Sequence, residues 1–294
     1  MRVAILGCGY VGCALARQCV DAGHQVIGVR RSSAECSAIE ATGATAICGD
    51  VREATTFDVL SDVDWVVFAA SAGGGANKAR RTLIDGLDLA FESFGGRDNP
   101  PARLLYTSST GVYGDHQGEW VDETTPIEPA GAKETVLADA EELVIRRGEA
   151  TGIEPIVARL SGVYGPGRYR LERYLEQPVT PGWRNSIHRD DAAGAIHYLL
   201  SRGSGTQSVV LVTDDQPIDR YEFAVWLANE IGVEPPATRS PAEVLDDPQA
   251  SQRAKRRLLT QKRCSNAYLR ALGYDLEYPT VREGYREALA AYEG

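Results

Sequence analysis

The sequence is poor in lysine, methionine and long apolar runs. Of its 294 residues only Lys78, Lys133, Lys255 and Lys262 are lysine and only Met1 is methionine, although lysine and arginine together number 31. Against 41 acidic residues the formal net charge is −10, which leaves no basic stripe for a nucleic acid to follow. Acid excess with little lysine suits a chain kept soluble at high salt, and a GC-rich genome produces the same bias. Charge speaks here to solubility and not to fold. No apolar run approaches the roughly 20 residues that span a bilayer, so no membrane partner is expected. The chain opens directly on a core-like strand, so no signal peptide is expected either. The six cysteines, Cys8, Cys13, Cys19, Cys36, Cys48 and Cys264, form no C-x-x-C pair and no metal-ligand spacing. They are expected to be free thiols in a reducing cytoplasm, several of them acting as small buried hydrophobes, with no metal bound.

What the sequence does have is a strong opening. Val3, Ala4, Ile5 and Leu6 form an unbroken apolar run, too short for a helix, of the kind buried on both faces inside a parallel sheet. Gly7-Cys8-Gly9-Tyr10-Val11-Gly12 follows at once and is a G-x-G-x-x-G. Gly7 allows the tight turn, Gly9 lets the backbone approach a pyrophosphate, and Gly12 lets the next helix pack close to the strand. Val11, Leu15 and Cys19 recur at helical spacing, Gly23 sits where a helix would stop, and Val26, Ile27 and Val29 begin a second strand. Strand, glycine turn, helix and strand in this order place phosphates on a helix N-terminus, where unpaired N–H groups and the dipole favour anions.

The end of the second strand speaks to the cofactor. An NAD site places an acidic residue there, about 20 positions after the glycine motif, to bond the ribose 2′-hydroxyl. This chain has Arg30, Arg31 and Ser32 instead, and no acid until Glu35. Arginine pairs with two oxygens of a phosphate and keeps its charge, so NADP is expected over NAD.

Further along, strands are expected at residues 44–48, 64–70, 103–108, 155–160 and 209–212. Helices are expected at 33–43, 79–94, 133–149, 221–231 and 266–274. The alternation predicts an α/β fold, a doubly wound parallel (Rossmann) sheet of seven strands. Residues 1–164 are read as the dinucleotide-binding domain, with a late strand near 208–214 returning to it. Residues 165–294 are read mainly as a smaller substrate-side lobe.

Four anchors in order carry a resemblance to a known family. They are the glycine motif; Gly49-Asp50 after the third strand; Thr107-Ser108-Ser109-Thr110-Gly111-Val112-Tyr113-Gly114; and Val163-Tyr164-Gly165-Pro166-Gly167 with the later Ile187-His188-Arg189-Asp190-Asp191. Together they resemble the extended short-chain dehydrogenase/reductases with their nucleotide-sugar epimerases and dehydratases. The resemblance implies cofactor contacts at Gly7, Gly9, Tyr10, Val11, Gly12 and Ser108. It places Asp50 and Val51 at the adenine, and Ala69 and Ala70 against the ribose side. It puts Ser109 where the family has its catalytic serine or threonine, four residues before Tyr113. His188 is read as structural, with Asp190 as a helix cap.

Two departures mark the chain as similar to the atypical, epimerase/dehydratase-like branch. Leu6 stands where the usual G-x-x-G-x-x-G begins. The Tyr-x-x-x-Lys dyad is also missing, because with Pro129 and Glu141 as flanking marks Lys133 takes the tyrosine's place and Leu137 the lysine's. Lys133 is then a candidate acid, on condition that its pKa is lowered, with Tyr113 and Tyr164 as alternatives. Arginines in the stretches 168–173 and 183–185 are candidates to clamp a phosphate or carboxylate. Two functional classes follow. One is an NADP-dependent oxidoreductase or epimerase/dehydratase-like enzyme of the cytoplasm, acting on a small polar substrate, a sugar or an anion. The other is a non-catalytic NADP(H)-binding sensor or interaction protein. A homodimer is left open.

Overall fold

The computed structural model describes residues 1–71, 73–203, 205 and 207–292. Its strands and helices alternate as the apolar pattern dictates. In chain order they are β1 (Arg2–Leu6), α1 (Tyr10–Asp21), β2 (Gln25–Arg30), α2 (Cys36–Glu40), β3 (Thr45–Cys48), α3 (Ala54–Asp58), β4 (Trp65–Phe68), α4 (Ala76–Gly95), β5 (Arg103–Ser109), β6 (Trp120–Val121), α5 (Ala132–Thr151) and β7 (Glu154–Leu160). Then come β8 (Gly162–Tyr164), α6 (Leu171–Glu176), β9 (Trp183–Arg184), β10 (Ser186–His188), α7 (Arg189–Ser201), β11 (Val209–Val212), β12 (Ile218–Asp219), α8 (Arg220–Ile231), α9 (Pro241–Asp246), α10 (Gln252–Leu258), β13 (Arg263–Cys264), α11 (Ala267–Ala271) and α12 (Val281–Ala290).

The central sheet has seven strands in the order β11-β7-β5-β4-β1-β2-β3. Every register from β3 across to β7 is parallel. This is the expected doubly wound α/β sheet. The chain builds outward from β1 through β2 to β3, then returns to place β4 on the other side of β1. A switch point therefore lies between β1 and β4, where folds of this class take their ligands at the carboxyl ends of the strands. Residues Val3, Ala4, Ile5 and Leu6 are fully buried, as a strand covered by helices on both faces must be. One core cluster joins Phe68, Phe91, Phe94 and Tyr106 to Val136, Ala140 and Val144 of α5.

The chain forms two compact units of interleaved segments, not a single cut. The first comprises residues 1–112, 131–160 and 192–210; the second comprises 113–130, 161–191 and 211–294. The second unit has its own apolar cluster, with Tyr164, Phe223, Leu227, Val281 and Tyr285 at its centre. Its sheets are pairs of very short strands, β8 with β10, β9 with β12 and β6 with β13. All six cysteines are free thiols. Cys8, Cys19 and Cys264 are buried as small hydrophobes, whereas Cys13 and Cys36 are half-buried and Cys48 is exposed at the end of β3. No helix among the described residues is long and apolar enough to cross a membrane.

Candidate functional site

The glycine loop sits at the carboxyl end of β1. Gly7 has φ +84°, and a Cβ there would collide with the backbone of Ala70, just past β4. Only glycine lets the two strand ends close on each other at the switch point. Gly12 lies against Ile5, where a Cβ would stand 3.3 Å from Cγ2, so α1 packs tightly on β1. The helix starts after Gly9 with no side-chain cap and no acid in its first turn. Its dipole favours an anion at that end, and Tyr10 and Val11 form the first turn, each half-buried.

The arginines expected at the 2′ position are where β2 ends. Arg30 lies over Gly9, since a Cβ built on Gly9 would meet Arg30 Nη1 at 2.5 Å. Its Nε donates to Glu35 Oε2 at 3.1 Å. Arg31 and Ser32 follow and are exposed. At the end of neighbouring β3, the Asp50 carboxylate accepts from Arg52 Nε at 2.9 Å and from the Arg52 amide at 3.0 Å. That bonding holds Asp50 below the usual carboxylate range, with Arg31 adding to it. Val51 is buried and packs against Gly86, so its side chain belongs to the core cluster. The glycine cradle and the start of α1 together fit a nicotinamide dinucleotide.

Ser109 and Lys133 belong to the same unit. Ser109 ends β5, and its Oγ accepts from the Gly111 amide at 3.1 Å. The start of α5 lies beside it, with a Cβ on Gly111 falling 3.4 Å from Ser109 Oγ and 3.7 Å from Glu134 Cγ. Lys133 is the second residue of α5 and half-buried. Because β1 and β5 run parallel, Ser109 and the glycine loop share one edge of the sheet.

Ser108 is turned the other way. Its hydroxyl donates to Glu141 Oε1 at 2.5 Å, and Arg159 closes on the same carboxylate with Nη2 at 2.7 Å and Nε at 3.1 Å. All three side chains are buried, and burial pushes the nearby Tyr106 phenol up. Ser108 was expected among the cofactor contacts; its side chain is committed to Glu141, which leaves only its backbone for that role. Arg159 escaped the sequence reading, although an arginine inside an apolar strand next to a helix carrying Glu141 is a signal that could have found it.

Within the second unit, Tyr113 is fully buried and donates its hydroxyl to the Asp122 carbonyl at 2.7 Å. Burial pushes the Tyr164 phenol up, and its hydroxyl donates to the Thr280 carbonyl at 3.4 Å. His188 is fully buried between aromatic rings, and burial lowers its pKa, which suits a structural, neutral imidazole. Asp190, expected as a helix cap, lies in the first turn of α7. Asp190 pairs with Arg189, while the buried Asp191 carboxylate accepts from the Glu277 and Tyr278 amides at 2.8 and 2.9 Å.

Two cationic features of this unit are buried or line a cavity. Arg184 sits within 4.4–5.7 Å of four aromatic rings, those of Tyr164, Tyr174, Phe223 and Tyr285, and its buried Nη1 has no partner among the described residues. Separately, a cavity of about 330 Å³ is lined by Arg173, Arg220, Arg239 and Arg257. Arg220 is 6% exposed, and its Nε has no partner among the described residues. Burial, with Arg257 adding like charge, lowers its pKa to about 10. Asp214 is buried as well. Its carboxyl is pushed well up by burial, with Arg184 and the Gln216 amide acting against that shift.

Comparison with known proteins comes down on the same fold. The pattern of the NAD dependent epimerase/dehydratase family matches residues 3–213. Protein YeeZ of Escherichia coli (strain K12) is 28% identical over 288 residues, covering 95% of this chain and 96% of its own. A solved structure from Methylobacillus flagellatus is 31% identical with a TM-score of 0.78, covering 99% of this chain and 98% of that one. The UDP-glucose 4-epimerase of Thermus thermophilus, solved in complex with NAD, is 18% identical with a TM-score of 0.77 over 99% and 98% of the two chains, a likeness of fold.

Proposed function

Because the chain belongs to the NAD dependent epimerase/dehydratase family, we propose that it is an NADP-dependent oxidoreductase or epimerase/dehydratase-like enzyme acting on a small polar substrate, a sugar or an anion. The observation that carries the reading is Arg30, whose guanidinium reaches from the end of β2 to the glycine loop where an NAD site would hold an acid. When bound, the dinucleotide supplies the hydride acceptor or donor. The chain's own residues do the rest. The amides at the start of α1 take the pyrophosphate, Arg30, Arg31 and Ser32 take the 2′-phosphate, and Asp50 and Val51 flank the adenine. Ala69 and Ala70 close the ribose side, and Ser108 adds its backbone.

Ser109 then hydrogen-bonds the substrate's reacting oxygen, and Lys133 exchanges that oxygen's proton. Lys133 is favoured over Tyr113 and Tyr164, because both phenols are buried and donate to backbone carbonyls. The arginine-lined cavity and the caged Arg184 support an anionic substrate group. A second reading has one observation behind it. Leu137, in the place of the family's lysine, packs against the apolar core and brings no ammonium, which suits a non-catalytic NADP(H)-binding sensor or interaction protein.

The two readings separate in one assay, NADPH oxidation against a panel of aldehydes, ketones and keto-sugars. Ser109→Ala and Lys133→Ala should each lower turnover by about 10²–10⁴-fold, the usual worth of general acid help. Tyr113→Phe should leave turnover unchanged. Tight NADPH binding with oxidation by nothing on the panel would support the sensor.

A further inference from the structure

Arg30 is not open to an incoming anion. Two of its nitrogens bond the Glu35 carboxylate, Nε to Oε2 at 3.1 Å and Nη2 to Oε1, while its Nη1 stands over Gly9. Glu35 comes from the short 3₁₀ turn Ser33–Glu35 that follows β2. The result is a guanidinium drawn across the glycine loop and pinned there by an acid five residues away. Arg52, at the end of β3, is closed on Asp50 in the same manner. Of the two arginines expected to read the 2′-phosphate, Arg30 thus already carries a carboxylate.

We propose that Glu35 is a specificity-determining counter-ion that latches Arg30 across the dinucleotide loop until a 2′-phosphate replaces it. The inference rests on the dinucleotide reading of this unit. A guanidinium fork serves one bidentate anion at a time along a given edge. A 2′-phosphate brings more charge and three oxygens, so it competes with a single carboxylate. A ribose 2′-hydroxyl brings no charge and cannot. The side chains of Arg30 and Glu35 are 26% and 48% exposed, so water screens the pair and leaves it weak enough to exchange. Glu35 therefore restrains both dinucleotides, and the one carrying a 2′-phosphate gains more from its removal. It is freed from the competing carboxylate and also from like-charge repulsion.

The test is a titration of wild type and Glu35→Gln with NADPH and with NADH, followed by protein fluorescence, after both proteins are shown to melt alike. Glu35→Gln should tighten NADPH by about three- to fivefold, the range set by a partly exposed ion pair, and the NADPH-over-NADH preference should widen. Unchanged or weaker NADPH binding, or a preference that stays or narrows, overturns the latch while leaving the cofactor reading intact wherever wild type binds NADPH. If neither protein binds either dinucleotide, both the latch and the reading beneath it fall.

Discussion

At the scale of single residues, the Glu141 carboxylate is the most consequential side chain outside the cofactor loop. It is 3% exposed and bridges Ser108 on β5, Arg159 on β7 and its own helix α5. Those are the elements that present Ser109 and Lys133, so the bridge fixes the position of both. A buried ion pair adds little over a well-packed apolar one, but removing one member strands the other without a partner. Glu141→Ala takes the paired carboxylate away from the buried Arg159 guanidinium, and should destabilise the fold by about 3–5 kcal/mol. Ser108→Ala removes one hydrogen bond to a charged group and should cost about 1.5–3 kcal/mol. Urea denaturation of the three proteins checks both values; a loss under about 1 kcal/mol for Glu141→Ala would mean the network is not structural. None of this follows from periodicity alone. Arg159 reads as a blemish in an apolar strand until the fold sets Glu141 beside it.

At the scale of elements, the loop between β1 and α1 joins backbone geometry to ligand binding most directly. Gly7 adopts φ +84° and abuts the backbone of Ala70, so alanine at this position is both strained and obstructed. Gly7→Ala should cost about 1–3 kcal/mol of stability, the usual scale of a strained backbone conformation. It should also weaken dinucleotide binding well beyond that, because the loop must move to admit the methyl group. Circular dichroism should show the sheet and helices retained while titration shows binding lost; unchanged binding would mean the loop is not the phosphate cradle. This loop was legible in the sequence because its three glycines follow an apolar strand without a gap, and the seven core strands were legible as short apolar runs. The second unit was less so. Its strands β6, β8, β9, β10, β12 and β13 are two or three residues long, too short to carry a period of two. The pairing of Arg30 with Glu35 was hidden as well, since it depends on the 3₁₀ turn at Ser33–Glu35 bringing the acid back towards the strand end.

At the scale of the whole molecule, the buried His188 and the half-buried His24 and His197 set an acid limit to stability. His24 is lowered by burial and by the amino terminus, His197 by burial and by His24, and His188 by burial. Their folded pKa values lie below that of the unfolded chain, about 6.5. Above that pH both states are neutral and nothing is lost; as pH falls through it, the unfolded chain takes up protons first and stability drops. Asp191 and Asp214, raised by burial, act in the opposite sense, losing stability as pH rises above the usual carboxylate range. The histidine contribution is therefore read as a difference. The Nε2 atoms of His24 and His197 are 3.1 Å apart. His197→Phe should gain stability relative to wild type as pH is lowered from about 7.5 to about 5.5, with the sign given by linkage. A difference that does not change with pH would show that the pair carries no such penalty.

The central claim is that the first unit binds NADP through arginines that replace the acid of an NAD site. Its most direct measurement is a titration of the wild-type protein and Arg30→Asp with NADPH and with NADH. A charged hydrogen-bonding group of this kind is worth about 1.5–3 kcal/mol, which corresponds to at least about tenfold in affinity. Wild type is predicted to bind NADPH at least about tenfold more tightly than NADH, and Arg30→Asp to erase or reverse that preference. Equal binding of the two dinucleotides by wild type, or tighter binding of NADH, would contradict the account.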